Sequence, residues 1–331
     1  MSKPVRFGII GTNTISHTFM EGALQLKDFQ LTAVYSRKEA TGRAFGEKYG
    51  VKSIFTDLEE LAKSDLIDAI YIASPNAFHY SHAMTFLNNG KHVLCEKAFA
   101  SNLREAKEMV EAARANNLLI MEGMRSTVVP NFLAIKENLH KLGTIRRAIF
   151  SKCQYSSRYD KYKAGVVMNA FKRELSNGAL MDIGIYCIHP IIELFGSPKE
   201  IIASSQFLDS GVDAQGTAIL KYAQMDAIML YSKVSNSCLP CEIQGEEGVL
   251  TSSDIYDFNN LTIRYRDGSE EVISKPQEMD NICYEIDEFI KLVQQGETES
   301  QLNSHERTIE AIKVMDEIRR QIGLIYPADE K

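Results

Sequence analysis

One lysine follows an apolar strand-like run, in a position suited to proton transfer. Lys97 comes after the run 92–95 and the carboxylate of Glu96. A lysine that is partly buried near another cation has a lowered pKa and can act as a general acid or base, with Glu96 positioning it. Because a lone Glu-Lys pair is more often a surface ion pair, this pair alone indicates no activity.

A second group of proton-active residues lies on the apolar segment 178–195, which is predicted to be one helix. Asp182, Tyr186 and His189 occupy positions i, i+4 and i+7 and therefore share a face. Three such groups are unusual on one stripe of a core helix, so Asp182 and Tyr186 are candidates for proton transfer. His189 fits a packed or solvated histidine slightly better than a ligand. Pro190 is expected to kink the helix.

The first predicted strand, 5–10, runs into a turn that could hold a phosphate. Its sequence places Asn13 and Ser16 at the second and third small positions of a G-x-G-x-x-G/A turn that begins at Gly11. Asparagine tolerates the left-handed conformation, and serine is nearly as small as alanine. We expect backbone N–H groups at the following helix start to bind a pyrophosphate. A plain strand–helix turn is the alternative.

The end of the second predicted strand indicates which dinucleotide binds. Sites for NAD usually have an acidic residue here, whereas this chain has Ser36, Arg37 and Lys38. A guanidinium can pair with a ribose 2′-phosphate. The sequence therefore predicts NADP(H) in preference to NAD(H), unless the two cations are simply solvated.

Strand and helix patterns alternate through the first 122 residues, with short connections. This alternation predicts a doubly wound parallel sheet, an N-terminal Rossmann domain over residues 1–123. Residues 124–331 instead predict a C-terminal α+β domain with a large open, mostly antiparallel sheet. Two final helices, near 279–295 and 304–322, could pack back on the first domain. The polar stretch 156–176 is the best candidate for a mobile active-site loop.

Composition excludes several classes of protein. The 331 residues are 44% hydrophobic and 24% charged, as expected for two globular domains, and the net charge of −7 argues against a nucleic-acid binder. The run of residues 1–7 has no apolar core of a signal peptide, and no uninterrupted apolar run has membrane-spanning length. Six scattered cysteines predict reduced thiols and a cytoplasmic protein. Cys238 and Cys241 have no second ligand pair nearby, so no metal site is expected.

The Gly-rich turn, Glu96-Lys97 and Asp182-x-Gly184-x-Tyr186 resemble, in this order and spacing, the Gfo/Idh/MocA oxidoreductase family. The nearest branch is the one typified by dimeric dihydrodiol dehydrogenase and glucose–fructose oxidoreductase. The resemblance implies hydride transfer between nicotinamide C4 and a hydroxyl or carbonyl carbon of a small polar substrate. It also implies a homodimer or homotetramer formed through the C-terminal sheet.

The resemblance assigns roles by position. Lys97 would be the catalytic lysine, Asp182 its acidic partner, and Tyr186 the second acid/base. Ala98 replaces the family's proline, so a cis bond after Lys97 is not expected. The predicted cofactor contacts are Gly11, Thr12, Asn13, Thr14, Ile15, Ser36, Arg37, Lys38, Ser74, Pro75, Asn76, His79, Glu96, Lys97 and Arg125.

The polar residues of the second domain suggest the substrate. The predicted substrate contacts are Arg158, Tyr159, Lys163 and His189, with Asn169 and Lys172 nearby in sequence. Such side chains suit a sugar-like molecule. Two alternatives stay open: a non-catalytic NAD(P)-binding sensor of the same fold, and a reductase for aldehydes or imines.

Overall fold

The computed structural model describes residues 3–330. The chain divides into two compact units. The first contains the residues up to Gly123 together with Ile282–Thr308, and the second contains Met124–Asn281 and the residues from Ile309 onward.

The first unit is built on a six-stranded parallel sheet, which confirms the predicted doubly wound fold. Its strands are β1 Val5–Ile10, β2 Phe29–Tyr35, β3 Ser53–Phe55, β4 Ala69–Ile72, β5 His92–Glu96 and β6 Ile120–Gly123, in the order β3-β2-β1-β4-β5-β6. Its first helices are α1 Thr14–Ala23, α2 Glu39–Tyr49, α3 Leu58–Lys63, α4 His79–Asn88 and α5 Leu103–Ala115. The strand order reverses at β1 and β4, which is where ligands bind in such sheets.

Local sequence explains how these elements begin and where they pack. The side chains of Asn13, Asp57 and Asn102 cap α1, α3 and α5. All four residues of β4 are buried, as in a central parallel strand. Phe19 stacks on Tyr71 with 3.7 Å between ring centroids, so α1 is packed directly on the sheet.

The second unit has an eight-stranded open sheet that is mostly antiparallel, as predicted. Its strands are β7 Ile145–Cys153, β8 Glu200–Phe207, β9 Asp213–Lys221, β10 Asp226–Ser232, β11 Cys241–Gly245, β12 Gly248–Ser252, β13 Thr262–Tyr265 and β14 Glu270–Val272. The order is β14-β13-β12-β11-β7-β10-β9-β8, and only the pair β7–β10 is parallel among the described strands. The helices α6 Pro130–Asn138, α7 Tyr159–Lys163 and α8 Ile185–Phe195 belong to this unit.

The segment predicted as one helix over 178–195 is two elements. A π-helical turn, Leu180–Gly184, precedes α8, which contains Pro190. Within the described residues, one helical stretch, Arg173–Phe195, is long and apolar enough to cross a membrane, and 78% of its most apolar window is buried. Asp182 and His189 interrupt the apolar sequence of this stretch, so it contains no unbroken apolar run of membrane-spanning length.

The polar stretch 156–176 is more ordered than a loop. It contains α7 and two short 3-10 turns, Asn169–Phe171 and Arg173–Leu175. Phe171 is fully buried and packs with Tyr159 and Tyr162 of α7.

The last two helices are α9 Asn281–Gln295 and α10 His305–Ile322. Residues 282–308 belong to the first unit, where Phe289 packs against Phe7 at 5.6 Å. The rest of α10 belongs to the second unit.

Candidate cofactor site and active-site residues

The turn between β1 and α1 has the geometry of a phosphate cradle. Gly11 has φ +102°, and a Cβ there would lie 2.8 Å from the carbonyl oxygen of Ala73. Glycine is therefore required. Thr12 is half-buried, and Asn13 and Thr14 are exposed, so the start of α1 is accessible. These features fit a pyrophosphate bound at a helix N-terminus.

Asn13 does not adopt the left-handed conformation that asparagine tolerates. Its φ is −92°, and its side chain accepts a hydrogen bond from the Ser16 N–H. Its Nδ2 donates to the Ala73 carbonyl at 2.8 Å. Asparagine thus replaces a flexible glycine with an N-cap that also ties the turn to the end of β4.

The residues after β2 form a short turn that leaves two cations in solvent. Ser36 N–H donates to the carbonyl of Phe55 at 3.0 Å, and Lys38 N–H donates to the Ser36 hydroxyl at 3.4 Å. Arg37 and Lys38 are exposed. The arrangement leaves Arg37 accessible to an anionic ligand.

His82, which is not among the residues predicted from the sequence, lies close to this turn. Its Nδ1 is 3.0 Å from the Ser74 hydroxyl, and its ring stacks on Phe78. Burial, followed by the charges of His79 and Arg37, lowers the pKa of His82 to about 4. The sequence indicates His82 only through its spacing from His79: three residues apart on α4, the two histidines lie on the same face of the helix.

His79 connects two loops rather than facing solvent. It is fully buried, and its ring nitrogens each lie 2.8 Å from a carbonyl oxygen, those of Ala98 and Ser74. Burial lowers its pKa. The neighbouring Asn76 is 8% exposed, while Pro75 is half-buried.

The residues at the end of β5 are held by buried contacts. Glu96 is 7% exposed, and its Oε1 accepts a 2.5 Å hydrogen bond from the Tyr71 hydroxyl. Lys97 is half-buried. The Lys97–Ala98 peptide is cis, contrary to expectation. The residues that follow Lys97 are held by buried hydrogen bonds. The Phe99 N–H donates to the Glu122 carboxylate at 3.1 Å, and His79 Nδ1 lies 2.8 Å from the Ala98 carbonyl oxygen.

Asp182 and Tyr186 lie on consecutive elements of the second unit. Asp182 is in the π-helical turn, where its carboxylate accepts a 2.7 Å hydrogen bond from Lys233 Nζ. Tyr186 is in the first turn of α8 and 5% exposed. His189 is 1% exposed, which agrees with a packed histidine.

Three further side chains surround Tyr186 in the second unit. Tyr256 meets it edge-on at 4.6 Å between ring centroids. Arg125 lies 5.0 Å from the Tyr256 ring and 6.0 Å from the Tyr186 ring, and Lys152 Nζ lies 3.7 Å from the Tyr256 ring. Burial lowers the pKa of Lys152, partly offset by Asp254. We call Arg125, Lys152, Tyr186 and Tyr256 the tyrosine–cation cluster.

The predicted substrate residues on and near α7 have local contacts. Tyr159 stacks on Tyr162, and Lys163 pairs with Asp160 at 2.8 Å. Arg158 is exposed. The structure brings these residues together in one surface element.

Comparison with known proteins places the chain in a family. The family model "Oxidoreductase family, NAD-binding Rossmann fold" matches residues 5–124, and the Gfo/Idh/MocA C-terminal domain model matches residues 140–251. The chain belongs to the Gfo/Idh/MocA oxidoreductase family. The resemblance and the enzyme class expected from the sequence are confirmed, which favours an enzyme over a sensor.

Several relatives match over almost the whole chain. Scyllo-inositol 2-dehydrogenase (NADP(+)) of Bacillus subtilis is 50% identical, covering 98% of this chain and 99% of that one. Trans-1,2-dihydrobenzene-1,2-diol dehydrogenase of Danio rerio is 30% identical over 99% of both chains. A 3-ketoreductase from Actinomadura kijaniata, solved with NADP and TDP-benzene, superposes with a TM-score of 0.83 at 23% identity, covering 97% of this chain and 98% of that one. This last likeness shows the shared fold.

Proposed function

We propose that the protein is an NADP(H)-dependent oxidoreductase that interconverts a hydroxyl and a carbonyl group on a polyhydroxylated, inositol-like ring. The observation that carries this proposal is the 50% identity to an NADP-dependent scyllo-inositol dehydrogenase over 326 residues. Arg37, in place of an acidic residue after β2, supports the cofactor preference. When bound, the nicotinamide supplies the hydride acceptor or donor.

The cofactor would be held by the first unit's loops. The accessible start of α1, after Gly11, would bind the pyrophosphate, and Arg37 would pair with the 2′-phosphate. Ser36 and Lys38, Ser74 to Asn76, and the Glu96-Lys97 pair complete the proposed contacts. We propose that buried His79 acts by holding the loops at Ser74 and Ala98 in place.

Proton transfer is assigned to Lys97, with Tyr186 stabilising charge on the substrate oxygen. Lys97 is half-buried directly after β5, next to Glu96, where its ammonium group can exchange a proton with a substrate oxygen. The Arg125 guanidinium lies 6.0 Å from the Tyr186 ring centroid, so a positive charge stands close to the tyrosine that would face the substrate oxygen. Asp182 would orient the substrate as a hydrogen-bond acceptor.

The tyrosine–cation cluster supports a polar substrate. Arg125 and Lys152 offer N–H donors to hydroxyl groups, and the Tyr256 ring offers an aromatic face to a saturated ring. Arg158, Tyr159 and Lys163 would add contacts to a larger substrate. We propose that His189 supports α8 from within the core instead of touching the substrate.

We also propose that the protein is a homodimer or homotetramer assembled through the open sheet. Ile149, Ile228, Ile219 and Ile202 are register partners across β7, β10, β9 and β8, and none of them is fully buried. The adjacent row on the same face, Arg147, Asp226, Lys221 and Glu200, alternates in charge. An isoleucine row beside alternating charges is self-complementary for a second copy. The six cysteines are reduced thiols, which suits the cytoplasm, and no nucleic-acid or membrane partner is proposed.

The test is a binding titration followed by a substrate screen. The purified protein is titrated with NADPH and with NADH, and NADP+ reduction is then followed with scyllo-inositol, myo-inositol and aldoses. We expect tighter binding of NADPH and turnover of at least one cyclic polyol that Lys97→Ala abolishes. Binding of neither nucleotide, or turnover of simple aldehydes alone, would contradict the proposal. Light scattering on the same sample measures the oligomer, and a monomer would contradict the assembly.

A further inference from the structure

A lysine outside the motifs is buried beside the motif aspartate. Lys233, directly after β10, is 1% exposed. Its Nζ donates to Asp182 Oδ2 at 2.7 Å and to the carbonyl of Ala170 at 3.0 Å, and it lies 4.9 Å from the Phe171 ring centroid. A buried ammonium is tolerated only where partners of this kind compensate its lost hydration.

The turn that carries Asp182 is also fixed at its start. Asp213, fully buried at the beginning of β9, accepts hydrogen bonds from the N–H groups of Ala179 and Leu180 at 3.0 and 2.7 Å. Gly178 has φ +146°, and a Cβ there would lie 2.0 Å from Asp213 Oδ1, so no other residue fits. Burial raises the pKa of Asp213 to about 6, an effect that the Leu180 N–H and the charge of Lys233 oppose.

Lys233 also reaches the segment that is proposed to meet the substrate. Ala170 and Phe171 form one of its short turns, and Phe171 packs on Tyr159 and Tyr162 of α7 at 5.9 and 5.4 Å between ring centroids. One ammonium group therefore contacts both the motif aspartate and the turn Asn169–Phe171, on which α7 packs. These contacts span 51 and 63 residues of sequence.

We propose that Lys233 is a positioning residue that holds the Asp182 carboxylate through a charge-assisted hydrogen bond and couples its position to the α7 segment. This rests on the proposed role of Asp182 in the site. Lys233 itself needs no contact with substrate or cofactor. Its removal should alter turnover and its pH dependence, while NADPH binding, which is assigned to the first unit, should stay as it is.

The experiment compares Lys233→Met, which keeps the side-chain length without charge, with Lys233→Arg, which keeps the charge. Lys313→Met is the matched control, since Lys313 is an exposed lysine of α10 that pairs with Glu310. We expect Lys233→Met to lower kcat/KM by about 10- to 100-fold, the range that follows a small misplacement of a site group. The fall of kcat/KM in acid should move to higher pH, because a carboxylate without its cation is protonated more easily. In Lys233→Arg the pH at which kcat/KM falls in acid should return close to that of the wild type. The NADPH Kd of both variants should stay within about twofold of the wild-type value.

A double variant separates action through Asp182 from a general loss of stability. If Lys233 acts through Asp182, adding Lys233→Met to Asp182→Asn should lower kcat/KM little further. Trypsin provides a readout that does not need activity: Lys233→Met should be cut faster at Arg158, Lys161 or Lys163. Full additivity of the two substitutions, or a pH profile and cleavage rate like those of Lys313→Met, would overturn the proposal. If Asp182→Asn itself leaves kcat/KM unchanged, the proposed role of Asp182 is wrong, and the cleavage rate still tests the coupling to α7.

Discussion

The Tyr71 hydroxyl donates a 2.5 Å hydrogen bond to Glu96 Oε1 between neighbouring strands of the parallel sheet. Tyr71 is fully buried and Glu96 is 7% exposed, so water has little access to this pair. The carboxylate directly before Lys97 is thus held by the strand beside it. The sequence predicts that Glu96 positions Lys97, but no pattern in it indicates that Tyr71 positions Glu96.

Replacing Tyr71 by Phe should destabilise the first unit without opening its core. The ring stack on Phe19 would remain, while Glu96 would lose a buried donor, at a cost of about 1–3 kcal/mol. Urea unfolding measures the change. Tyr35→Phe, on β2 of the same sheet, is the control, and equal unfolding midpoints for the two variants would refute the assigned importance of this hydrogen bond.

Arg37→Asp should weaken NADPH binding far more than NADH binding. A charge-assisted pair with the 2′-phosphate is expected to contribute about 1.5–3 kcal/mol, or roughly 10- to 100-fold in Kd. Nicotinamide fluorescence measures both affinities, and the chain has no tryptophan to contribute background. Arg43→Asp serves as control because Arg43 is paired with Glu39 on the surface of α2. A similar loss for both nucleotides would rule out this role for Arg37.

His82→Leu should make the stability of the protein less sensitive to acid. Burial lowers the pKa of His82 to about 4 in the folded protein, below the ordinary histidine value of 6.5. Between these values the unfolded chain binds more protons, so the contribution of this group to stability is present above pH 6.5 and is lost as the pH falls toward 4. We expect the difference in Tm between pH 7 and pH 5 to narrow in the variant. An unchanged difference would contradict the assignment.

Lys97→Ala should lower kcat by about 10²-fold or more, in line with loss of a general acid or base. The NADPH Kd should change little, since the proposed phosphate contacts lie on other loops. Pre-steady-state mixing with NADP+ and the polyol found in the screen would show the missing hydride step. Lys107→Ala, an exposed residue of α5, controls for the loss of a positive charge. Turnover like that of the wild type would remove Lys97 from the mechanism.

The alternating sheet and the phosphate turn were predictable because each depends on short stretches of sequence. Periodicity located all six strands of the first sheet, and Gly11 marked the tight turn. The hydrogen bond that ties Asn13 to the sheet could not be predicted, because the acceptor for its amide, the Ala73 carbonyl, lies at the end of β4, far away in sequence. The cis bond at Ala98 was missed for the same reason, as its surroundings include His79 and Glu122.

The residues around Asp182 and Tyr186 could not have been found from local patterns. Lys233 and Tyr256 lie in segments with no motif, and only the pairing of distant strands and loops brings them beside the two motif residues. The π-helical turn could not be predicted from periodicity either. It is only five residues long, and within so short a segment the sequence pattern of a π-helix cannot be distinguished from that of an α-helix.

The strand order of the second unit concentrates its long-range pairing in one strand. Strands β8, β9 and β10 form one local meander and β11 to β14 another, so each can form by closing short loops. Strand β7 alone pairs with both, in parallel with β10 and antiparallel with β11. The chain entropy of assembling the sheet is therefore lost mainly when β7 joins the two meanders. Substitutions in the core of β7, such as Phe150→Leu, should slow folding more than equally destabilising changes within either meander.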